Sequence, residues 1–294
     1  MTDRLFIIIN PSAKSGKALQ VWGAVQKYLD AEGFAYEFAL SKDENDVENL
    51  ARNAAAQGRV LVAGVGGDGT LQRIAAGIAG TEAVLGIIPA GTGNDFARTL
   101  QIPLVPEAAC AVLLHGRTVR LDLGTCNGKY FLNVLGTGLD AEVAAEANRR
   151  YKRFSGTLGY LLALVRQLFV YKPCPVQIKL DEGQVSADVW LVAVANGCYY
   201  GGGMKVAPDA NPQDGLADVI VVTRISRLKF LRLFPRVYSG RHVTHPAVKV
   251  FRSSVVEITA GKNLAVQTDG EITGSTPFTV KMEHHAIALR VAAE

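Results

Sequence analysis

Val60-Leu61-Val62-Ala63-Gly64-Val65-Gly66-Gly67-Asp68-Gly69-Thr70, running on into Leu71-Gln72-Arg73-Ile74-Ala75-Ala76, is the stretch that decides how this chain is read. A short apolar run has the length of a buried strand, and the residues after Thr70 carry apolar side chains at helical spacing. The glycine turn therefore falls where a strand hands over to a helix. A helix start offers unpaired N–H groups and a partial positive charge, and glycine lets that backbone approach phosphate oxygens with no Cβ in the way. Asp68 sharpens the reading, because a carboxylate among those glycines repels bare phosphate unless a divalent cation intervenes. A nucleotide with magnesium is the implied ligand. A second turn, Pro89-Ala90-Gly91-Thr92-Gly93-Asn94-Asp95, follows the apolar run Val84 to Ile88.

The pattern around these turns is an alternation. Leu5 to Ile9 reads as a strand; Leu19, Trp22, Val25 and Leu29 as a helix; Phe34 to Leu40 as a strand; Val47, Leu50, Ala51 and Ala54 as a helix. This is the signature of a parallel sheet with helices on both faces, in which ligands bind at the carboxyl ends of strands. From about Val119 the segments become strand-rich: Val119 to Leu123, Tyr130 to Leu135, Val176 to Leu180, Val189 to Ala195, Val219 to Val222, Val255 to Ala260, Leu264 to Thr268 and Phe278 to Met282. Such a run predicts a mainly antiparallel β-sandwich. Helices are expected at about 150–170 and 226–238, and turns at Gly136 to Gly138, Gly201 to Gly203 and Gly261 to Asn263. The expected division is a nucleotide-binding α/β domain over 1–120 and a β-rich substrate domain over 121–294.

Composition sets outer limits. With 294 residues, 49% apolar and 20% charged, the chain has the balance of a globular protein. A net charge of +4 is too weak and scattered to argue for nucleic acid. Cys110, Cys126, Cys174 and Cys198 lie in or beside apolar segments without CxxC spacing and read as buried free thiols. His115, His242, His245, His284 and His285 show no ligand spacing tied to carboxylates or cysteines, so zinc is not expected. No signal peptide is expected from Met1-Thr2-Asp3-Arg4, and the longest apolar window, Tyr160 to Tyr171, is broken by Arg166 and Gln167. A cytoplasmic protein is expected.

Taken together, the two turns resemble the diacylglycerol kinase catalytic family, the bacterial lipid kinases and their sphingosine kinase relatives. Asn10-Pro11, with Ser15-Gly16-Lys17 beyond it, resembles the family's opening nucleotide loop, and Asn133 to Gly138 (NVLGTG) its start of the second domain. Gly201-Gly202-Gly203-Met204 with Pro208, then Asp214-Gly215-Leu216, then Asp269-Gly270-Glu271 complete the series in family order, so the resemblance spans essentially the whole chain. GGDGT by itself also occurs in NAD kinases and phosphofructokinases, whereas PAGTGND and the late DGE belong to the lipid kinase set. Gln72 departs from the asparagine usual after GGDGT but keeps an amide.

The resemblance implies an NAD-kinase-like first domain that binds ATP and Mg2+, and transfer of a phosphoryl group to the hydroxyl of diacylglycerol or a related lipid alcohol. An NAD kinase-like enzyme, or a non-catalytic nucleotide- or lipid-binding relative, are the alternatives. The nucleotide is expected on Asn10, Ser41, Gly66, Gly67, Asp68, Gly69, Thr70, Leu71 and Gln72 from the first half of the site. Gly91, Thr92, Gly93, Asn94 and Asp95 supply the second half. Asp68 also has a catalytic part in organising the metal, and the resemblance puts Glu271 in the place of the base that deprotonates the lipid, with Asp269 as the alternative. A structural magnesium is implied at Asp214, with backbone carbonyls near Asn211 and Leu216. The implied partners are the lipid alcohol and a transient contact with the inner membrane face, with a possible homodimer and no nucleic acid. Two basic stretches, Arg149-Arg150-Tyr151-Lys152-Arg153 and Arg224, Arg227, Lys229, Arg232, Arg236 and Arg241, are the expected membrane-facing charges.

Overall fold

Strands β1 (Leu5–Ile9), β2 (Tyr36–Leu40), β3 (Leu61–Gly66) and β4 (Val84–Pro89) form the parallel sheet that the alternating pattern predicts, in the order β2-β1-β3-β4. The structure, a computed structural model, describes residues 5–151 and 156–293. Every residue of β3 and β4 is buried, as befits central parallel strands covered on both faces. The cover comes from α1 (Lys17–Ala31), α2 (Glu44–Ala56), α3 (Asp68–Ile78), α4 (Asp95–Thr99) and α5 (Pro106–His115). α1 buries Val21, Trp22, Val25 and Leu29 at helical spacing, and α2 begins where Asp43 accepts the Asp46 N–H at 2.9 Å.

The chain divides into two units, 1–123 with 284–294 and 124–283. It passes out of the first along β5 (Arg117–Cys126) and returns along β15 (Phe278–Val291). The sequence assigns everything after 120 to the second domain. The last residues instead belong to the first unit, because Ala288 and Leu289 pair in parallel with Val84 and Leu85 and extend its sheet.

The second unit contains β6 (Lys129–Phe131), β7 (Val134–Gly138), α6 (Leu139–Arg150), α7 (Gly156–Val170), β8 (Cys174–Lys179), β9 (Gln184–Ala195), β10 (Ala217–Thr223), α8 (Arg227–Leu233), β11 (Val248–Ser253), β12 (Val255–Ala260), β13 (Ala265–Thr268) and β14 (Glu271–Ser275). The ladders β7–β9, β8–β9, β9–β10, β10–β11, β8–β12, β7–β13 and β13–β14 are all antiparallel. Alternation along β9 shows why this is a layered structure. Val189, Val192 and Val194 point into a core with Phe131, Val176, Val256 and Phe278, whereas Trp190, Ala193 and Ala195 point into a second core with Leu139, Leu164 and Phe230. Helices α6, α7 and α8 close that second core.

Three sequence expectations change here. Gly136 to Gly138 lie in β7 and are not a turn. The expected strand Tyr130 to Leu135 is two strands, broken at Leu132 and Asn133, whose N–H groups are taken by Asp269. The helix expected from about 150 is preceded by α6, whose modest apolar periodicity left it unrecognised.

Candidate active site

In the first unit the two glycine turns touch. A Cβ on Gly91 would lie 2.4 Å from the Gly67 Cα, so the backbones meet at a distance only paired glycines allow. Ala90 N–H donates to Gly66 O at 2.8 Å and locks the second turn beside the first. Asn10, at the end of β1, donates from Nδ2 to Thr70 Oγ1 at 3.0 Å while its Oδ1 accepts from Ser12, which ties a third loop to the same place. Three consecutive carboxyl ends of one parallel sheet thus converge, and the start of α3 at Asp68 lies among them.

The aspartates have defined surroundings. Asp68 Oδ1 accepts the Phe96 N–H at 2.9 Å, so it caps α4 across the gap between the turns. A Cβ placed on Gly93 would be 3.0 Å from Asp95 Oδ2 and 3.1 Å from Asp68 Oδ2; the two carboxylates converge on that glycine. Two anionic oxygens facing one point is an arrangement a cation fits. Asn94 takes a left-handed φ of 52° and exchanges hydrogen bonds with Gly91, its Oδ1 accepting the Gly91 N–H at 2.9 Å. Thr92 and Gly69 are exposed at the tips, where a ligand can reach them. Ser41 is buried, donates its N–H to Ile9 O at 2.9 Å and has no hydrogen-bond partner on Oγ among the described residues.

Leu71 does not fit a direct ligand role. Its side chain is 1% exposed and its N–H is given to Gly67 O at 3.1 Å, so it anchors the turn from below. Gln72 is likewise buried, one turn into the helix.

In the second unit Asp269 and Glu271 separate clearly. Asp269 has φ 48°, and its carboxylate accepts the N–H groups of Leu132 at 2.7 Å, Asn133 at 2.9 Å and Val134 at 3.0 Å. Those lone pairs are committed to holding the gap between β6 and β7. Glu271 opens β14, two residues on and half-buried. Gly270 N–H donates to Gln267 Oε1 at 2.6 Å, and Gln267 Nε2 donates in turn to Asp140 Oδ2 at 2.8 Å. Tyr200 hydroxyl donates to Asp140 Oδ1 at 3.1 Å. Gln267 and Asp140 are 2% and 3% exposed, so the turn that carries Glu271 is fixed by a buried polar chain. A Cβ on Gly136 would fall 1.9 Å from Asp140 Oδ2; the glycine is what admits this carboxylate.

Asp140 was invisible in the sequence as a site residue. An acid two residues after a fully buried glycine-rich strand is the signal that points to it. Asp140 also lines a cavity of about 60 Å³ with Leu139, Leu164, Ile220, Phe230, Leu233 and other apolar side chains, in which Tyr200 and His242 supply the remaining polar groups. Burial pushes the His242 imidazole below its ordinary value, and its Nε2 lies 2.9 Å from Val206 O.

Around the third aspartate, Asp214 Oδ1 accepts the Leu216 N–H at 3.0 Å and Oδ2 is paired with Arg252. Asn211 Oδ1 accepts the Gln213 N–H at 3.2 Å. Sequence reasoning missed Asp218, which is 3% exposed and whose Oδ2 has no hydrogen-bond partner among the described residues. Burial, with Asp214 and Asp209 nearby and despite Arg252, pushes its carboxyl up to about 6. A buried oxygen of this kind beside a second carboxylate fits a hard cation.

The basic stretches differ in role. Arg149 and Arg150 both pair with Glu146, at 3.1 Å each, and Arg166 joins them at 2.7 Å around that buried carboxylate. Lys152 and Arg153 lie outside the described residues. Lys229, Arg232, Arg236 and Arg241 are exposed. The four cysteines are free, and burial pushes the thiols of Cys110 and Cys126 up to about 12 and 11, as expected of packing residues. Among the described residues no helix is long and apolar enough to cross a membrane.

Comparison with known proteins agrees with both halves. Residues 4–126 match the diacylglycerol kinase catalytic domain and residues 133–292 the YegS C-terminal NAD kinase beta sandwich-like domain. A diacylglycerol kinase of Mycobacterium tuberculosis (strain ATCC 25618 / H37Rv) is 34% identical over 281 residues, covering 93% of this chain and 90% of that protein. The diacylglycerol kinase of Bacillus subtilis (strain 168) is 29% identical, covering 93% and 91%. A solved structure from Bacillus anthracis str. Sterne, provisionally assigned as a diacylglycerol kinase, is 27% identical with a TM-score of 0.84, covering 98% of this chain and 97% of that one. The chain belongs to the diacylglycerol kinase family.

Proposed function

We propose that this protein is a lipid kinase that transfers the γ-phosphoryl group of ATP, with Mg2+, to the hydroxyl of diacylglycerol or a related lipid alcohol. The observation that carries this reading is the apolar cavity of the second unit, whose polar wall, Asp140 with Tyr200, is hydrogen-bonded through Gln267 to the turn bearing Glu271. An acyl chain suits apolar walls, and a polar group at one side suits the glycerol end. A dinucleotide, charged and ribose-rich, would leave such walls without use.

Each residue has a part that follows from its surroundings. The N–H groups at the start of α3 and those of Thr92 and Gly93 hold nucleotide phosphates, with Thr92 adding a hydroxyl, while the Gly91 N–H is kept by Asn94 to shape the turn. Asp68 and Asp95 would hold magnesium, which supplies charge neutralisation on the phosphates. Asn10 fixes Thr70 and so the geometry of the first turn. Glu271 takes the proton of the lipid hydroxyl, since the Asp269 carboxylate is engaged by three N–H donors. A second magnesium, held by Asp214 with carbonyls near Asn211 and Leu216 and supported by Asp218, would be structural.

Contact with the membrane has its own support. Phe169 and Val170 at the end of α7 and Leu228 and Leu231 on α8 are 67%, 59%, 70% and 43% exposed, and Lys229, Arg232 and Arg236 are exposed beside them in the chain. Arg227 donates to Leu168 O at 2.9 Å and to Phe169 O at 3.2 Å, which joins the two segments into one surface. Exposed apolar groups among cations suit an anionic lipid surface. The test is labelled ATP with magnesium and a panel of diacylglycerol, other lipid alcohols and NAD. Phosphorylated lipid and unmodified NAD are the expected products; phosphorylation of NAD alone would overturn the reading.

A further inference from the structure

The five histidines carry no ligand spacing along the chain, yet folding brings two of them to a buried acid. His284 and His285 on β15 lie against Asp122 on β5, all three within the first unit. Asp122 is 0% exposed, and its Oδ1 lies 2.8 Å from His284 Nδ1 and accepts the His285 N–H at 2.8 Å. His285 holds a left-handed φ of 54°, a costly conformation for a residue with a Cβ. The two imidazoles stack, with centroids 3.7 Å apart and planes at 25°, so the His285 ring has to turn out of the stack to share an ion with His284. One ligand atom from each of the three residues lies within 4.8 Å of the others.

We propose that Asp122, His284 and His285 form a transition-metal site, best suited to zinc. Two imidazole nitrogens and a carboxylate oxygen are the donors that such ions prefer, whereas magnesium favours oxygen alone. Two ligands each about 2.0–2.2 Å from a zinc ion lie roughly 3 Å apart, close to the spacing already present between His284 and Asp122. On binding, His284 takes the tautomer that carries its hydrogen on Nε2: the Nδ1 hydrogen passes to solvent, Nε2 takes one from solvent, and Nδ1 gives its lone pair to the ion. His284 keeps 52% of its side chain exposed, so the ion has a path in and water can complete the coordination. β5 leaves the first unit after Leu123 and β15 re-enters it at His284, so the bound ion ties together the two strands along which the chain crosses.

The experiment uses the full chain, freed of metal by chelation and returned to magnesium buffer, titrated with Zn2+ by calorimetry and followed by thermal melting. One equivalent should bind without competition from magnesium and raise Tm. His284→Gln should weaken binding by about tenfold or more. His285→Gly removes a ligand while relieving the positive φ, so it should stay folded, weaken zinc to a similar degree and lose the gain in Tm. Cobalt in place of zinc should give visible absorption bands in the parent protein that both variants lack. Equal zinc affinity in the parent and the two variants, or no bound zinc in the parent, would overturn the proposal.

Discussion

Asp68-Gly69 in the first unit and Asp269-Gly270 in the second are the same dipeptide, and they do opposite work. Asp68 begins a helix at the carboxyl end of a buried strand, gives one oxygen to the Phe96 N–H and turns the other toward Asp95. Asp269 turns a hairpin and spends its carboxylate on three backbone donors. An acid beside glycine is thus available for chemistry only where the fold leaves its lone pairs unspent. Asp214-Gly215, the third such pair, stands between the two, with one oxygen on its own loop and one on Arg252.

Substitution should split the first two most widely. Asp68→Ala should abolish turnover while costing about 0.5–2 kcal/mol, the value of a helix cap. Asp269→Ala should instead unfold the second unit, because three N–H groups lose their acceptor at about 1–3 kcal/mol each. Melting curves beside initial rates read both; a stable, inactive Asp269→Ala would break the contrast.

Next in size, Glu271→Gln should lower kcat roughly 10²- to 10⁴-fold with ATP affinity and Tm kept, the mark of a lost general base. If Asp269→Asn gave that signature and Glu271→Gln did not, the assignment of the two acids would be exchanged. Cutting the buried link, Gln267→Leu should reduce kcat by a smaller factor and leave the KM for ATP alone, since it loosens the turn that carries Glu271 and takes a donor from Asp140, both in the second unit.

The third aspartate supplies a pH test. Asp218 has a folded value near 6, above the usual carboxylate range, so the folded state holds a proton that the unfolded chain has lost. Stability from this group is present below the unfolded value and is lost as pH rises through about 6. Tm without magnesium should therefore fall between about pH 4 and 6, less so in Asp218→Asn, and magnesium should restore it in the parent but not in Asp214→Ala. Equal magnesium effects on both proteins would remove the ion from that loop. The smallest effect is expected at Thr92→Val, where a neutral hydrogen bond of about 0.5–1.5 kcal/mol should appear as a several-fold rise in the KM for ATP.

The parallel sheet and its glycine turns were legible in the residues alone, because buried strands, helix starts and close backbone approaches each demand residue types that are local in the chain: the run Val60 to Val65, then Gly66, Gly67 and Asp68. So was the antiparallel character of the second unit, through alternation, as in β8, where Cys174, Val176 and Ile178 face inward and their neighbours outward. Which groups each acid meets is settled in three dimensions alone. Asp269 is engaged by residues more than 130 positions earlier, Asp140 meets Gln267 at a separation of 127, and Asp122 meets His284 at 162. Hydrogen bonds and charges act over a few ångströms in space whatever the distance along the chain, so periodicity and spacing carry no trace of them. The tail beyond His284 shows the same limit for the fold: the strand expected at Phe278 to Met282 runs on to Val291, and its last part is placed beside β4 by pairing that no local pattern records.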